Sequence, residues 1–142
     1  MVSGAVWTDL DGDGFSELVL ACEWGPVRVF KNDHGTLREA TREWGLEGYL
    51  GWWNGVNAGD FNGDGRMDLI VSNWGLNTAY RATRTAPRRL YHGDLAGQGV
   101  VDLIQASLDP ELGKWVPDED RDTLAKSLPA PRNCRNVRRV GP

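Results

Sequence analysis

The sequence predicts an all-β protein built from repeats, and three observations carry that prediction. An acidic, glycine-rich segment recurs in register along the chain. Each copy is flanked by short runs with strand character. The 142 residues also include 18 Gly and 7 Trp, a pairing that suits a turn-rich, aromatic-packed β body better than a helical bundle. About four strand-like runs fall within the first repeat, which is the content of one propeller blade. The expected fold is therefore a partial β-propeller of about three four-stranded antiparallel blades, with one short helix near the C-terminal end.

The repeat itself is explicit. Asp9-Leu10-Asp11-Gly12-Asp13-Gly14-Phe15-Ser16-Glu17-Leu18 returns as Asp60-Phe61-Asn62-Gly63-Asp64-Gly65-Arg66-Met67-Asp68-Leu69. A weaker third copy is Asp94-Leu95-Ala96-Gly97-Gln98-Gly99-Val100-Val101-Asp102-Leu103. Long-period repetition of this kind marks solenoids, propellers or arrays. Ala5–Trp7, Val56–Ala58 and Leu90–His92 lead into the three copies, and each copy runs out into an apolar stretch beginning at Leu18, Leu69 or Leu103. Between the first two copies, Val27 and Val29 alternate with Arg28, the period of a half-buried strand. Asn32-Asp33-His34-Gly35 supplies turn chemistry before a further strand over Thr36–Ala40.

One segment reads as helical. Asp118-Glu119-Asp120 precedes Arg121–Leu128, where Leu124 and Leu128 are four apart and Pro129 is a stop. The blades are thus expected over residues 1–128, and residues 129–142 form a basic tail, read as disordered, with Arg132, Arg135, Arg138 and Arg139.

Composition narrows the function classes. A hydrophobic content of 40% can support a core. A net charge of -4 argues against nucleic-acid binding through a basic surface. Leu18–Cys22 is the longest clear apolar run, too short to insert into a membrane. No secretory signal follows Met1, and Cys22 with Cys134 cannot build a disulfide framework.

The pattern Asp-x-Asp/Asn-x-Asp-Gly-x-x-Asp/Glu has a chemical logic. Oxygen-bearing side chains at positions one, three and five can turn toward one cation. The backbone carbonyl at seven and the acid at nine complete the shell, and glycine at six permits the reversal. Hard oxygen ligation of this kind suits calcium. The first loop would use Asp9, Asp11, Asp13, the Phe15 carbonyl and Glu17. The second would use Asp60, Asn62, Asp64, the Arg66 carbonyl and Asp68. In the third, Ala96 and Gln98 replace two ligands, so the turn is expected without its metal. Position twelve is Leu20 or Val71, not the bidentate acid of an EF-hand or dockerin-type loop, and both are expected to point into a core. The first loop has four carboxylates and the second three, which ranks the first as the more dependent on metal.

These residues resemble FG-GAP/VCBS repeats, the blade units of integrin-α-like propellers. Gly51–Asp60 with Ser72–Thr78 is similar to the bacterial ASPIC/UnbV type, related to cartilage acidic protein. The resemblance implies a non-enzymatic, calcium-binding module that mediates protein or glycan contact, in an extracellular or periplasmic setting. It also implies more blades than three, so the chain is expected to be a fragment that needs the missing blades or self-association. The alternative is a scaffold piece of a calcium-dependent carbohydrate-active enzyme.

Other constellations are bland. His34 and His92 have no partner at ligand or triad spacing. Trp52 and Trp53 are adjacent on a strand and should face opposite sides, one of them in the core. Arg81, Arg84, Arg88 and Arg89 read as a solvated basic loop.

Overall fold

The computed structural model describes residues 1–75, 77–128 and 138–140. It is mostly β, with antiparallel sheets and one short helix, and divides into two compact units, Met1–Ala79 and Tyr80–Pro142.

The first unit holds β1 (Val2–Thr8), β2 (Glu17–Pro26), β3 (Arg28–Asp33), β4 (Thr36–Glu39), β5 (Leu50–Gly59) and β6 (Asp68–Asn73). Strands β1 to β4 form an antiparallel meander, paired β1–β2, β2–β3 and β3–β4. This is the four-stranded blade expected of the first repeat. The far half of β2 then leaves the blade: Glu23, Gly25 and Pro26 pair with Trp52, Gly51 and Leu50 of β5. β5 in turn pairs with β6. Gly4 of β1 lies against β5 so closely that a Cβ there would sit 3.0 Å from the Gly55 Cα, which explains glycine in mid-strand.

The core lies between the first blade and the β5–β6 pair. Glu17, Val19 and Ala21 alternate along β2 and are fully buried, as is Val29 of β3. Val56, Leu69 and Val71 pack against this surface from the second repeat, and Val6 from β1. Consecutive repeats therefore meet through opposite faces of the same strand position. Val19 and Ile70 are equivalent in the repeat, yet Val19 is 0% exposed and Ile70 55%. The expectation for position twelve is corrected on the same ground. Val71 packs on the core, whereas Leu20 is only half-buried, because the two-residue period gives the buried face of β2 to Val19 and Ala21. Thr41, just after β4, is buried, and its hydroxyl accepts the Val29 N–H at 3.1 Å.

Trp52 and Trp53 do face opposite ways. Trp53 joins the core, and its indole N–H donates to the Tyr49 carbonyl at 3.0 Å. Trp52 stacks on Trp74, with centroids 4.7 Å apart, and meets Trp24 at 5.4 Å. Trp24 holds a positive φ of 60°, so the turn of β2 toward β5 is made at a residue type that rarely adopts it.

The second unit holds β7 (Arg89–Gly93), β8 (Asp102–Asp109), β9 (Lys114–Pro117), α1 (Arg121–Ser127) and β10 (Arg138–Val140) in the order β10-β7-β8-β9. Among its described residues, Leu90 and Ala106 are the buried apolar ones. Asp120 caps α1, its carboxylate accepting both the N–H and the hydroxyl of Thr123 at 2.9 Å. The expected all-β, partial propeller-like fold of antiparallel sheets holds, with the strands shared unevenly among the three repeats. The first repeat forms a four-stranded meander, the second contributes β5 and β6, and the third supplies a further four-stranded antiparallel sheet, β10-β7-β8-β9. The spacing from the second loop to the third is too short for two more strands, and the 77–88 segment has no alternation. The basic-loop reading changes. Arg88 pairs with Asp118 and lies over the Tyr80 ring, and Arg89 lies over the Trp115 ring. Of the tail expected to be disordered, residues 129–137 and 141–142 lie outside the described residues. Arg138–Val140 is a strand paired with Leu90–His92, because β7 offers it an open edge.

The face-to-face core sets a clear expectation. Val29→Ala should lower the stability of the first unit by about 2 kcal/mol, from two lost carbons plus the cavity. Leu37→Ala on the exposed β4 should change it by less than about 0.5 kcal/mol. Urea unfolding followed by tryptophan fluorescence measures both.

Candidate metal centre

All three repeated segments are loops joining the two strands of an antiparallel pair: β1 to β2, β5 to β6 and β7 to β8. Each loop organises itself through the acids at its two ends. At position one, the Asp9 carboxylate accepts the Gly12 N–H at 2.7 Å and the Gly14 N–H at 2.9 Å. Asp60 accepts the Gly63 and Gly65 N–H groups at 2.7 and 2.9 Å. Asp94 accepts from Gln98 and Gly99 at 2.8 and 2.9 Å. At position nine, Glu17, Asp68 and Asp102 accept the N–H of Leu10, Phe61 and Leu95, at 2.8, 3.1 and 2.9 Å.

Glycines at positions four and six both hold positive φ in every copy: Gly12 at 79° and Gly14 at 86°, Gly63 at 78° and Gly65 at 83°, Gly97 at 71° and Gly99 at 78°. Sequence reasoning assigned the reversal to position six alone. The signal for position four was available, since Gly12, Gly63 and Gly97 recur in all three copies. An L side chain at either position would be strained.

The backbone amides hold several of these acids ionised. Asp60 is lowered from its usual value of 3.8, chiefly by the Gly65 N–H, and Asp94 likewise by the Gly99 N–H. Asp13 is lowered first by the Phe15 N–H, which it accepts at 2.8 Å, and then by Lys31.

The first loop gathers the densest charge. Asp9, Asp11 and Glu17 each bring a carboxylate oxygen within 4.8 Å of the other two. Glu17 is 0% exposed; its Oε2 accepts the Leu10 N–H, while its Oε1 is buried with no hydrogen-bond partner. Asp13 turns away from this trio toward Lys31, whose ammonium it shares with Asp11. Phe15 stands beside them with its ring 4.4 Å from the His34 ring. In the second loop, Asn62 occupies the position of Asp11. Its Oδ1 accepts the Asp64 N–H at 2.9 Å, and its Nδ2 donates to Asp64 Oδ2 at 3.3 Å. Asp64 Oδ1 accepts the Arg66 N–H at 2.9 Å. Asp60, Asn62, Asp64, Arg66 and Asp68 share one loop with the backbone hydrogen bonds of the first, but among the described residues its acids do not converge as Asp9, Asp11 and Glu17 do.

Sequence reasoning missed Lys31. It sits on β3, outside the repeat, and only the folded blade carries its Nζ to the loop, 3.0 Å from Asp13 Oδ2.

A family model for the FG-GAP-like repeat matches residues 9–71. Residues 9–71 carry an FG-GAP-like repeat. The matched span begins at the first loop's leading acid and ends at Val71 of β6, so it holds both intact loops and the strands that pack them face to face. No curated protein and no solved structure matches the chain. Among the described residues, no helix is long and apolar enough to cross a membrane.

The repeated loops carry an acid-dependent stability. Asp94 has a depressed pKa in the folded state, so its contribution is present above the unfolded value and lost as pH falls through the folded one. Asp94→Asn should destabilise the protein at pH 7, and the gap from wild type should narrow below about pH 3.8. Urea midpoints of both proteins at pH 7 and pH 3 test this; a gap that widens in acid contradicts it.

Proposed function

We propose that this chain is a calcium-binding, non-enzymatic FG-GAP module that presents a surface for protein or glycan contact. The observation that carries the metal is Glu17 Oε1. A buried carboxylate oxygen without a partner is costly unless a cation completes it. Asp9 and Asp11 bring further oxygens to the same point, all of them hard ligands suited to calcium. Asp9, Asp11, Asp13, the Phe15 carbonyl and Glu17 would hold one ion. Asp60, Asn62, Asp64, the Arg66 carbonyl and Asp68 would hold a second. The third loop repeats the fold, but Ala96 offers no ligand.

Calcium here is structural: it would join the two ends of a loop whose strands already pair. The contact role and an extracellular or periplasmic setting follow from the repeat family. Exposed Ile70, equivalent to buried Val19, supports a further partner surface on the second repeat, filled by another blade or a second copy of the chain.

Calcium bound only by the folded state adds ~2.7 kcal/mol at a hundredfold excess over its Kd. Wild type should therefore melt higher with calcium than with chelator, and Glu17→Gln should lose much of that gain. No calcium response in wild type overturns the metal assignment. Calorimetric titration should also give Asp102→Asn the same calcium stoichiometry as wild type; a loss of one site makes the third loop a working one.

A further inference from the structure

The first loop is clasped by the hairpin between β3 and β4, and the second has no such neighbour among the described residues. Three contacts make the clasp. Asn32 Nδ2 donates to the Ser16 carbonyl at 3.0 Å, the His34 ring packs on Phe15, and Lys31 Nζ bonds Asp11 and Asp13. Asn32 Oδ1 also accepts the Gly35 N–H at 2.8 Å, which fixes the turn that aims these groups. The ion pairs are partly sheltered: the side chains of Lys31, Asp11 and Asp13 are 27%, 31% and 38% exposed. In the second loop the nearest equivalent is Arg66, 3.4 Å from Asp64 and 81% exposed.

We propose that Lys31 is the resident counter-ion of the first loop, held by Asp11 and Asp13 when no divalent cation is bound and expelled when one binds. This role rests on the calcium reading of that loop. Asp11 and Asp13 are ligands in that reading, and their oxygens cannot serve the ammonium and the metal fully at once. Two consequences follow. The lysine lowers the metal affinity of the first loop, because a dication must displace a unit positive charge from the same oxygens. It also keeps the metal-free loop folded, because it offsets repulsion among Asp9, Asp11, Asp13 and Glu17. Counting carboxylates ranks the first loop as the more metal-dependent; Lys31 works against that order.

The test is calorimetric calcium titration of the full chain as wild type, Lys31→Met, Lys31→Gln and Lys31→Arg, paired with melting curves in chelator and in saturating calcium. Removing the charge should tighten one of the two sites by about fivefold, the scale of a partly exposed ion pair. Lys31→Arg should stay near wild type. In chelator, Lys31→Met should melt below wild type, and saturating calcium should close the difference. Should Lys31→Met fail to fold, Lys31→Gln gives the same affinity comparison. Calcium binding of equal affinity in wild type and the neutral variants overturns the role of Lys31 while leaving the metal site standing. No binding in any of the four proteins overturns the calcium reading itself, and this role with it.

Discussion

The first repeat depends on one carboxylate placed where water does not reach. Glu17 closes its loop through the Leu10 N–H and opens β2, the strand that pairs with β1, β3 and β5. Its position is fixed from both sides, by the loop hydrogen bond and by the two-residue period it shares with Val19 and Ala21. The packing that buries the valine buries the acid, and leaves Oε1 in need of a positive partner.

The loops separate two properties that a repeat motif conflates, shape and acidity. Shape comes from the acids at positions one and nine and the glycines at four and six. The third loop keeps all four and keeps the fold, although its other ligand positions are Ala96 and Gln98. Positions three and five set how acidic the loop is, and their side chains do little to hold the backbone in the third copy. A copy with Ala96 and Gln98 at those positions therefore still joins its two strands, β7 and β8.

Electrostatics then distinguishes loops that share a backbone. Asp60 is served by backbone amides, with no lysine in its loop. Asp11 and Asp13 share the ammonium of a residue on the next strand. The difference arises because the first repeat completes its blade with β3 and β4, whereas the second passes from β6 into a segment rich in Arg and Thr without strand periodicity.

By itself the sequence determined whatever is local: the loop between two strands, its acids and glycines, the β3–β4 turn, the capped helix and the β class. Each rests on contacts a few residues apart, so spacing and residue type suffice. Tertiary structure decided the rest. Burial of Glu17 and the exposure of Ile70 depend on which face of each strand meets the neighbouring repeat, and two copies of one motif carry no record of that choice. The pairing of Arg138–Val140 with β7 needs an open edge brought from far along the chain. Lys31 reaches Asp11 across 20 residues, a distance closed only when β3 pairs with β2 and brings its hairpin over the loop.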